Sequence, residues 1–303
     1  MSKSDEQPIK RNSFADYRVD GGKWITLSSG QYFPDLIKDA CALYEPTVRL
    51  FGTLVEASDS SADLLRKITS ERNPARTGLL RIFRRYACPV ISVEATKVVG
   101  HIESVIQDFG AQFRPIEEVR QAYHARPQPD EALCVLLWEY KDRGKQGYDL
   151  TEEFFILFQA MYPELGLQGP KRAGRDVALG DVFSASTLAQ QGLPPYPNPN
   201  RPVDFVIYRD EEKSGILAIG LARYDSDRGG SQEDDRIGGY RDCADEIQRY
   251  AAQTGLNIKV IFLNDGPGLL LGSMWRDYAA LEDRWPGKIM VLTFRMVAER
   301  LTD

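Results

Sequence analysis

The sequence predicts an α/β protein, with a mixed β-sheet core flanked by helices in the C-terminal part and a mostly helical N-terminal region. Two observations predict it. Apolar residues recur every three or four positions through the first half, the spacing of helices that bury one face. After Leu165 short apolar runs alternate with helical stretches, as in sheets covered by helices on both faces. At 303 residues, 43% hydrophobic and 27% charged, the composition is that of a folded chain and excludes collagen, coiled coil and wholesale disorder. No apolar run reaches the length of a membrane-spanning helix. Cys41, Cys88, Cys134 and Cys243 lie far apart without a CxxC pair, which argues against a zinc ribbon and fits a reducing cytosol, so a cytoplasmic location is expected.

Residues 1–25 read as a loose tail, broken by Gly21-Gly22. Residues 26–165 form the helical region. Phe33 to Ala57 carries the long amphipathic pattern, Ser60-Ser61 caps a second helix, and a third runs from about Ala75 to Tyr86 and stops before Pro89. Further helices are expected at 93–108, 115–124, 129–141 and 151–161. Residues 166–303 form the α/β core. Gly166 to Gly174 reads as loop and Arg175 to Phe183 as a short helix. The prolines 194, 195, 197, 199 and 202 force an extended connection. Strands follow at Val203–Tyr208 and Gly215–Tyr224, then a loop from Asp225 to Gly239, a helix at Tyr240–Ala252 and a strand at Asn257–Leu263. A helix at 272–283, a strand at Lys288–Phe294 and a final turn complete the order α–β–β–α–β–α–β.

The net charge is −6, but its distribution matters more than its sum. Asp63 to Tyr86 holds seven Lys/Arg against two acids, whereas Arg209 to Glu246 holds eleven acids against six bases. The basic segment suits phosphate and the acidic one a divalent ion, though each also reads as a solvated helix face. On the third helix Arg81, Arg84 and Arg85 stand three and four apart and share a face. From there arginine can bind phosphates or read guanine.

Asp204 opens an otherwise apolar strand, where a charge is costly unless it is paired or bound to metal. A hairpin centred near residues 212–213 sets Asp204 opposite positions 220–221. Alternation then puts Leu221, Arg223 and Asp225 on one face and Gly220, Ala222 and Tyr224 on the other, and a one-residue change in the turn exchanges the sets. On the first register Asp204, Arg223 and Asp225 converge, two carboxylates and a cation that suit a divalent ion and a phosphate. The stretch Asp227 to Arg236, with Arg228, Glu233 and Arg236, reads either as a metal- and DNA-contacting loop or as a loop whose acids complement the next helix. Asp265-Gly266-Pro267-Gly268 reads as a plain strand-to-helix turn before it reads as a phosphate loop.

An acid opening a strand after a proline, followed by a hairpin inside α–β–β–α–β, resembles the PD-(D/E)xK nuclease superfamily, and in particular its type II restriction endonucleases. The resemblance covers about residues 170–295. It implies Mg²⁺-dependent hydrolysis of phosphodiester bonds at a specific site in double-stranded DNA. It also implies a homodimer matched to a palindromic target and a DNA methyltransferase as genetic partner. In the family the second strand carries an acid and, two residues on, a lysine. The triplets here, Gly220-Leu221-Ala222 and Leu221-Ala222-Arg223, have neither. The resemblance therefore implies that Arg223 takes the lysine's place and that Asp225 or Glu233 supplies the second acid. Asp204, Asp225 and Glu233 would hold the metal, and Lys171, Arg172, Arg228 and Arg236 would join the Arg81 helix in contacting DNA. Other nucleases of the same core, acting in repair or defence, and a catalytically inactive DNA-binding protein are the alternatives.

Overall fold

The computed structural model describes residues 13–27, 31–72, 74–93, 96, 99–169, 177–184, 192–225 and 232–301, with the side chains of 99, 140–148 and 232–236 outside the description. The chain forms two compact units, Gly30–Gly144 and a second that joins Met1–Ser29 to Lys145–Asp303.

The first unit is helical: α1 (Leu36–Glu56), α2 (Ser61–Ser70), α3 (Ala75–Tyr86), α4 (Ile102–Phe109), α5 (Ile116–His124) and the start of α6 (Glu131–Met161). Phe51, Val55, Leu64, Leu65, Ile68, Leu79, Phe83, Val119 and Leu137 form its core. The expected cap of α2 is present, with the Asp63 N–H donating to Ser60 Oγ at 3.1 Å. α1 and α5 pack closely at Gly52, where a Cβ would come within 2.5 Å of the Tyr123 ring. The two helices expected at 129–141 and 151–161 are one continuous helix, α6, because the intervening turns keep helical backbone despite Gly144 and Gly147.

The second unit holds a five-stranded sheet in the order β1 (Gly166–Gln168), β4 (Phe205–Tyr208), β5 (Ile216–Tyr224), β6 (Lys259–Asp265), β7 (Ile289–Leu292), and a two-stranded sheet of β2 (Val177–Ala178) and β3 (Pro202–Val203). β1, β4 and β5 run antiparallel, and β5, β6 and β7 parallel. The mixed sheet is as expected; β1 falls where a loop was expected. α7 (Leu179–Ser184) follows β2, α8 (Gln232–Thr254) joins β5 to β6, α9 (Met274–Arg284) joins β6 to β7, and α10 (Val297–Arg300) ends the described chain. Phe154 of α6 covers one face of the sheet, 4.9 Å from Phe205. Tyr240 of α8 covers the other, 5.1 Å from Phe262. All of β4, and β6 from Val260 on, are buried, which explains their unbroken apolar runs.

Several boundaries differ from the sequence reading: the helical unit ends at Gly144 rather than at residue 165, the strand expected at Val203–Tyr208 is interrupted at Asp204, and β2 lies where the helix Arg175–Phe183 was expected. Phe14–Lys23 is a 3-10 helix rather than a loose tail: Phe14 and Tyr17 are buried, and Phe14 stacks on Trp275 at 4.5 Å. The helix expected from Tyr240 starts instead at Gln232, so Glu233 and Arg236 lie on α8 and not in a loop. Here tertiary packing overrides the poor helix propensity of Gly238 and Gly239.

Candidate functional site

The site forms where β4, β5 and β6 meet under α8 and α9, at the C-terminal ends of the parallel pair β5–β6. Open α/β sheets place their crevices at such strand ends. Phe205 pairs with Gly220, the first pair of the antiparallel ladder, and Asp204 is a bend just before it. Opposed residues share a face. Gly220 therefore lies on the side of Phe205, and Leu221 and Arg223 lie on the other; Asp204 acts on the same Tyr240 hydroxyl as Arg223 and Asp225.

The backbone fixes Asp204 from two directions. Its N–H donates to the Gly220 carbonyl at 3.0 Å, and its Oδ2 accepts the Ala222 N–H at 2.8 Å. Arg223 Nε donates to Asp225 Oδ1 at 2.6 Å, and Tyr278 Oη donates to Asp225 Oδ2 at 3.3 Å. The Tyr240 hydroxyl sits among these charges. Burial pushes it up to about 12; Arg223 lowers it, while Asp225 and Asp204 raise it further. Burial likewise drives the Tyr278 hydroxyl well above the usual phenol range, with Tyr240 and Asp225 adding to the effect.

The turn after β6 holds Asp225 in place. The Asp225 N–H donates to the Asp265 carbonyl at 2.7 Å, and the Asp225 carbonyl accepts from Gly268 at 2.8 Å. Gly266 is required there: its φ is +107°, and a Cβ would lie 2.4 Å from the Asp225 carbonyl. The N–H groups of Gly266 and Gly268 are thus engaged within the protein, so the turn is a structural one rather than a phosphate loop. Asp265 is itself buried and accepts from the Thr26 N–H and hydroxyl and from the N–H groups of Gly266 and Phe294, at 2.6 to 3.0 Å. Burial raises its carboxyl above the usual range against the pull of these donors.

Of the expected site residues, the structure brings together Asp204, Arg223 and Asp225. Glu233 and Arg236 lie on α8 with their side chains outside the described residues, and Lys171, Arg172 and Arg228 lie wholly outside them. Arg81, Arg84 and Arg85 belong to α3 of the other unit. The buried face of α3 is Leu79, Leu80, Ile82 and Phe83, which leaves Arg85 exposed and Arg81 and Arg84 partly so. Tyr240, Tyr278 and Asn264 were not foreseen as part of the site. Asn264 carried a signal, a polar residue ending the apolar run of β6; the tyrosines look like ordinary core aromatics in the sequence.

Magnesium needs several oxygen ligands in near-octahedral array. Asp204 is one described candidate. Asp225 has one oxygen engaged by Arg223 and the other by Tyr278. Among the described residues no three His, Cys, Asp or Glu converge as a metal-holding group. The described residues by themselves do not make a magnesium cage. Among them, too, no helix is long and apolar enough to cross a membrane.

The chain matches no known protein family in a scan of family models, and no curated protein matches it.

Proposed function

We propose that the protein is a site-specific endonuclease of double-stranded DNA with a PD-(D/E)xK-like core, acting as a type II restriction enzyme does. One observation supports the reading: Asp204 and the Arg223–Asp225 pair all act on the Tyr240 hydroxyl, near the C-terminal edge of the parallel strands. An acid and a cation side by side on that hairpin are what phosphodiester hydrolysis asks for. Arg223 is partly exposed and would neutralise the scissile phosphate. It would not serve as a general base, because guanidinium hardly deprotonates. Dependence on Mg²⁺ belongs to the proposal and rests on the resemblance, as do a homodimer on a palindromic target and a methyltransferase encoded nearby. Arg81, Arg84 and Arg85 are proposed DNA contacts.

A second reading is favoured by Leu221. It lies on the Arg223 face, where the family pattern asks for an acid, so the chain is alternatively a DNA-binding protein that does not cut. A plasmid digest with Mg²⁺ separates the two. Discrete bands support the endonuclease and a smear a nonspecific nuclease; a gel shift without cleavage supports the binding protein.

A further inference from the structure

α8 lays the Tyr240 ring on Phe262, with centroids 5.1 Å apart, and 6.1 Å from the Tyr278 ring. Phe262 pairs with Leu221 and Asn264 with Arg223 across the parallel ladder, so Tyr240 stands over the row that leads to Arg223. Its hydroxyl faces the Arg223 guanidinium, with Asp225 and Asp204 as the nearby carboxylates. The two tyrosines differ in what they do there. Tyr278 is 1% exposed and donates inward, to Asp225 Oδ2 at 3.3 Å. Tyr240 is only half-buried, and the Arg223 side chain is 31% exposed. Phenol and cation both keep some contact with solvent.

Arginine has five N–H donors and no acceptor. Nε goes to Asp225 Oδ1 at 2.6 Å, and Arg223 cannot take the phenol proton. A phenol keeps that proton to about pH 10 in water, and burial carries Tyr240 higher. At working pH its O–H is therefore a donor beside a cation. A hydroxyl on which a cation pulls is polarised and donates more strongly. Two donors at one spot, one of them charged, are what an oxyanion needs. The carboxylates limit the charge it can carry: Asp204 and Asp225 repel a dianion more than a monoanion.

We propose that Tyr240 and Arg223 form a two-donor site for one non-bridging oxygen of a phosphodiester, the singly charged linkage of a nucleic-acid backbone. The Tyr240 O–H and an Arg223 N–H each donate to that oxygen, and no covalent bond changes. That the phosphodiester belongs to DNA rests on the nuclease reading. The two-donor site does not.

The probe is dimethyl phosphate, a phosphodiester without base or sugar, titrated into the full chain at constant ionic strength. The wild type should give a saturable ultraviolet difference spectrum of tyrosine. Tyr240→Phe keeps a ring on Phe262 and should hold Tm within about 2 °C of the wild type, but the spectral response should vanish. It should persist in Tyr278→Phe. Arg223→Gln should weaken the affinity at least about tenfold, and sulfate, a dianion, should bind at least about threefold more weakly than dimethyl phosphate. The proposal is overturned by no saturable response in the wild type, by an undiminished one in Tyr240→Phe, by an unchanged affinity in Arg223→Gln, or by sulfate binding as tightly. Tyr240→Leu is run in parallel under the same criterion, so a failure of Tyr240→Phe to fold leaves the test standing. Plasmid DNA separates this inference from the nuclease reading. If the titrations behave as expected and plasmid is neither bound nor cut, the nuclease reading falls and the site stands. If plasmid is cut, and Tyr240→Phe cuts it with unchanged KM and kcat, the nuclease reading stands and this inference falls.

Discussion

Arg223 and Asp225 form an unequal pair: Nε and Oδ1 are 2.6 Å apart, yet the arginine side chain is 31% exposed and the aspartate 2%. The anion is therefore committed to the interior, and the cation keeps a route to solvent. Such a pair holds a guanidinium at the protein surface in a fixed place, where an incoming anion can compete for it.

Loss of the guanidinium should be felt twice. Arg223→Ala removes the Arg223 cation from beside buried Asp225 and should cost about 3 kcal/mol of stability, measured by urea denaturation, together with most of the cleavage. Arg223→Lys keeps the charge but not the planar fork. It should retain measurable cleavage and lose under half as much stability. Full activity in Arg223→Ala would exclude this residue from the chemistry.

Asp204 tests the site from the other strand. Asp204→Asn keeps an oxygen able to accept the Ala222 N–H, so Tm should stay within about 2 °C of the wild type. Cleavage should fall at least about a hundredfold, while DNA binding holds or improves because a negative charge facing phosphate is gone. Asp204→Ala should behave alike in cleavage but with a lower Tm. An active Asp204→Asn would remove the residue from the site.

The parts of this arrangement that local rules govern were legible in the sequence. Period-two alternation put Arg223 and Asp225 on one face, and their 2.6 Å pair agrees with it. Period 3.6 gave α1 and α3, and a serine cap gave α2. What escaped depends on distant partners. The Phe14–Lys23 segment has no period to read, and its order comes from Trp275 and Glu282, more than 250 residues away. β1 has three residues and is defined by its pairing with β4. Tyr240, Asn264 and Tyr278 reach the site from three separate elements, and no spacing rule connects them.

Asp245 gives the fold a defined acid response. Arg284 donates to its two oxygens at 2.7 and 2.6 Å, and Trp285 Nε1 donates at 2.8 Å. The Arg284 contact, aided by Trp285 and opposed by burial, holds the carboxyl at about 2. A depressed carboxylate contributes stability that is present above the unfolded pKa, about 3.9, and disappears as pH falls through the folded value. Wild type should exceed Asp245→Asn by about 1–2 kcal/mol at pH 6, and the gap should close between roughly pH 4 and pH 2. A gap unchanged over that range would mean that packing, not charge, is what the substitution removes.

The α3 arginines make a prediction about binding alone. Single replacement of Arg81, Arg84 or Arg85 by Ala should leave Tm nearly unchanged, because the buried face of the helix is Leu79, Leu80, Ile82 and Phe83. A residue that reads a base should cost about 1–3 kcal/mol at the target sequence only; a phosphate contact should weaken all sequences alike and reduce the salt slope by about one. Unchanged binding in all three variants at several salt concentrations would make α3 a plain solvated surface.

The sharpest prediction separates two neighbouring residues on β5. Leu221 lies on the Arg223 face and is partly exposed, whereas Gly220 lies on the Phe205 face. Leu221→Glu sets a second carboxylate between the two residues whose backbones bond Asp204, and two oxygen ligands at one spot favour a hard divalent ion. Mg²⁺ binding by calorimetry should tighten at least about tenfold, roughly 1.4 kcal/mol, and cleavage should rise if metal occupancy limits it. Gly220→Glu should do the reverse. A Cβ at 220 would come within 2.0 Å of the Phe205 ring. That ring is fully buried against Phe154 and Phe155 and has nowhere to turn. The variant should lose several degrees of Tm without any gain in Mg²⁺ affinity, because its carboxylate is on the wrong side of the sheet. A gain from Gly220→Glu, or none from Leu221→Glu in a folded protein, would show that Asp204 does not draw its second ligand from this strand.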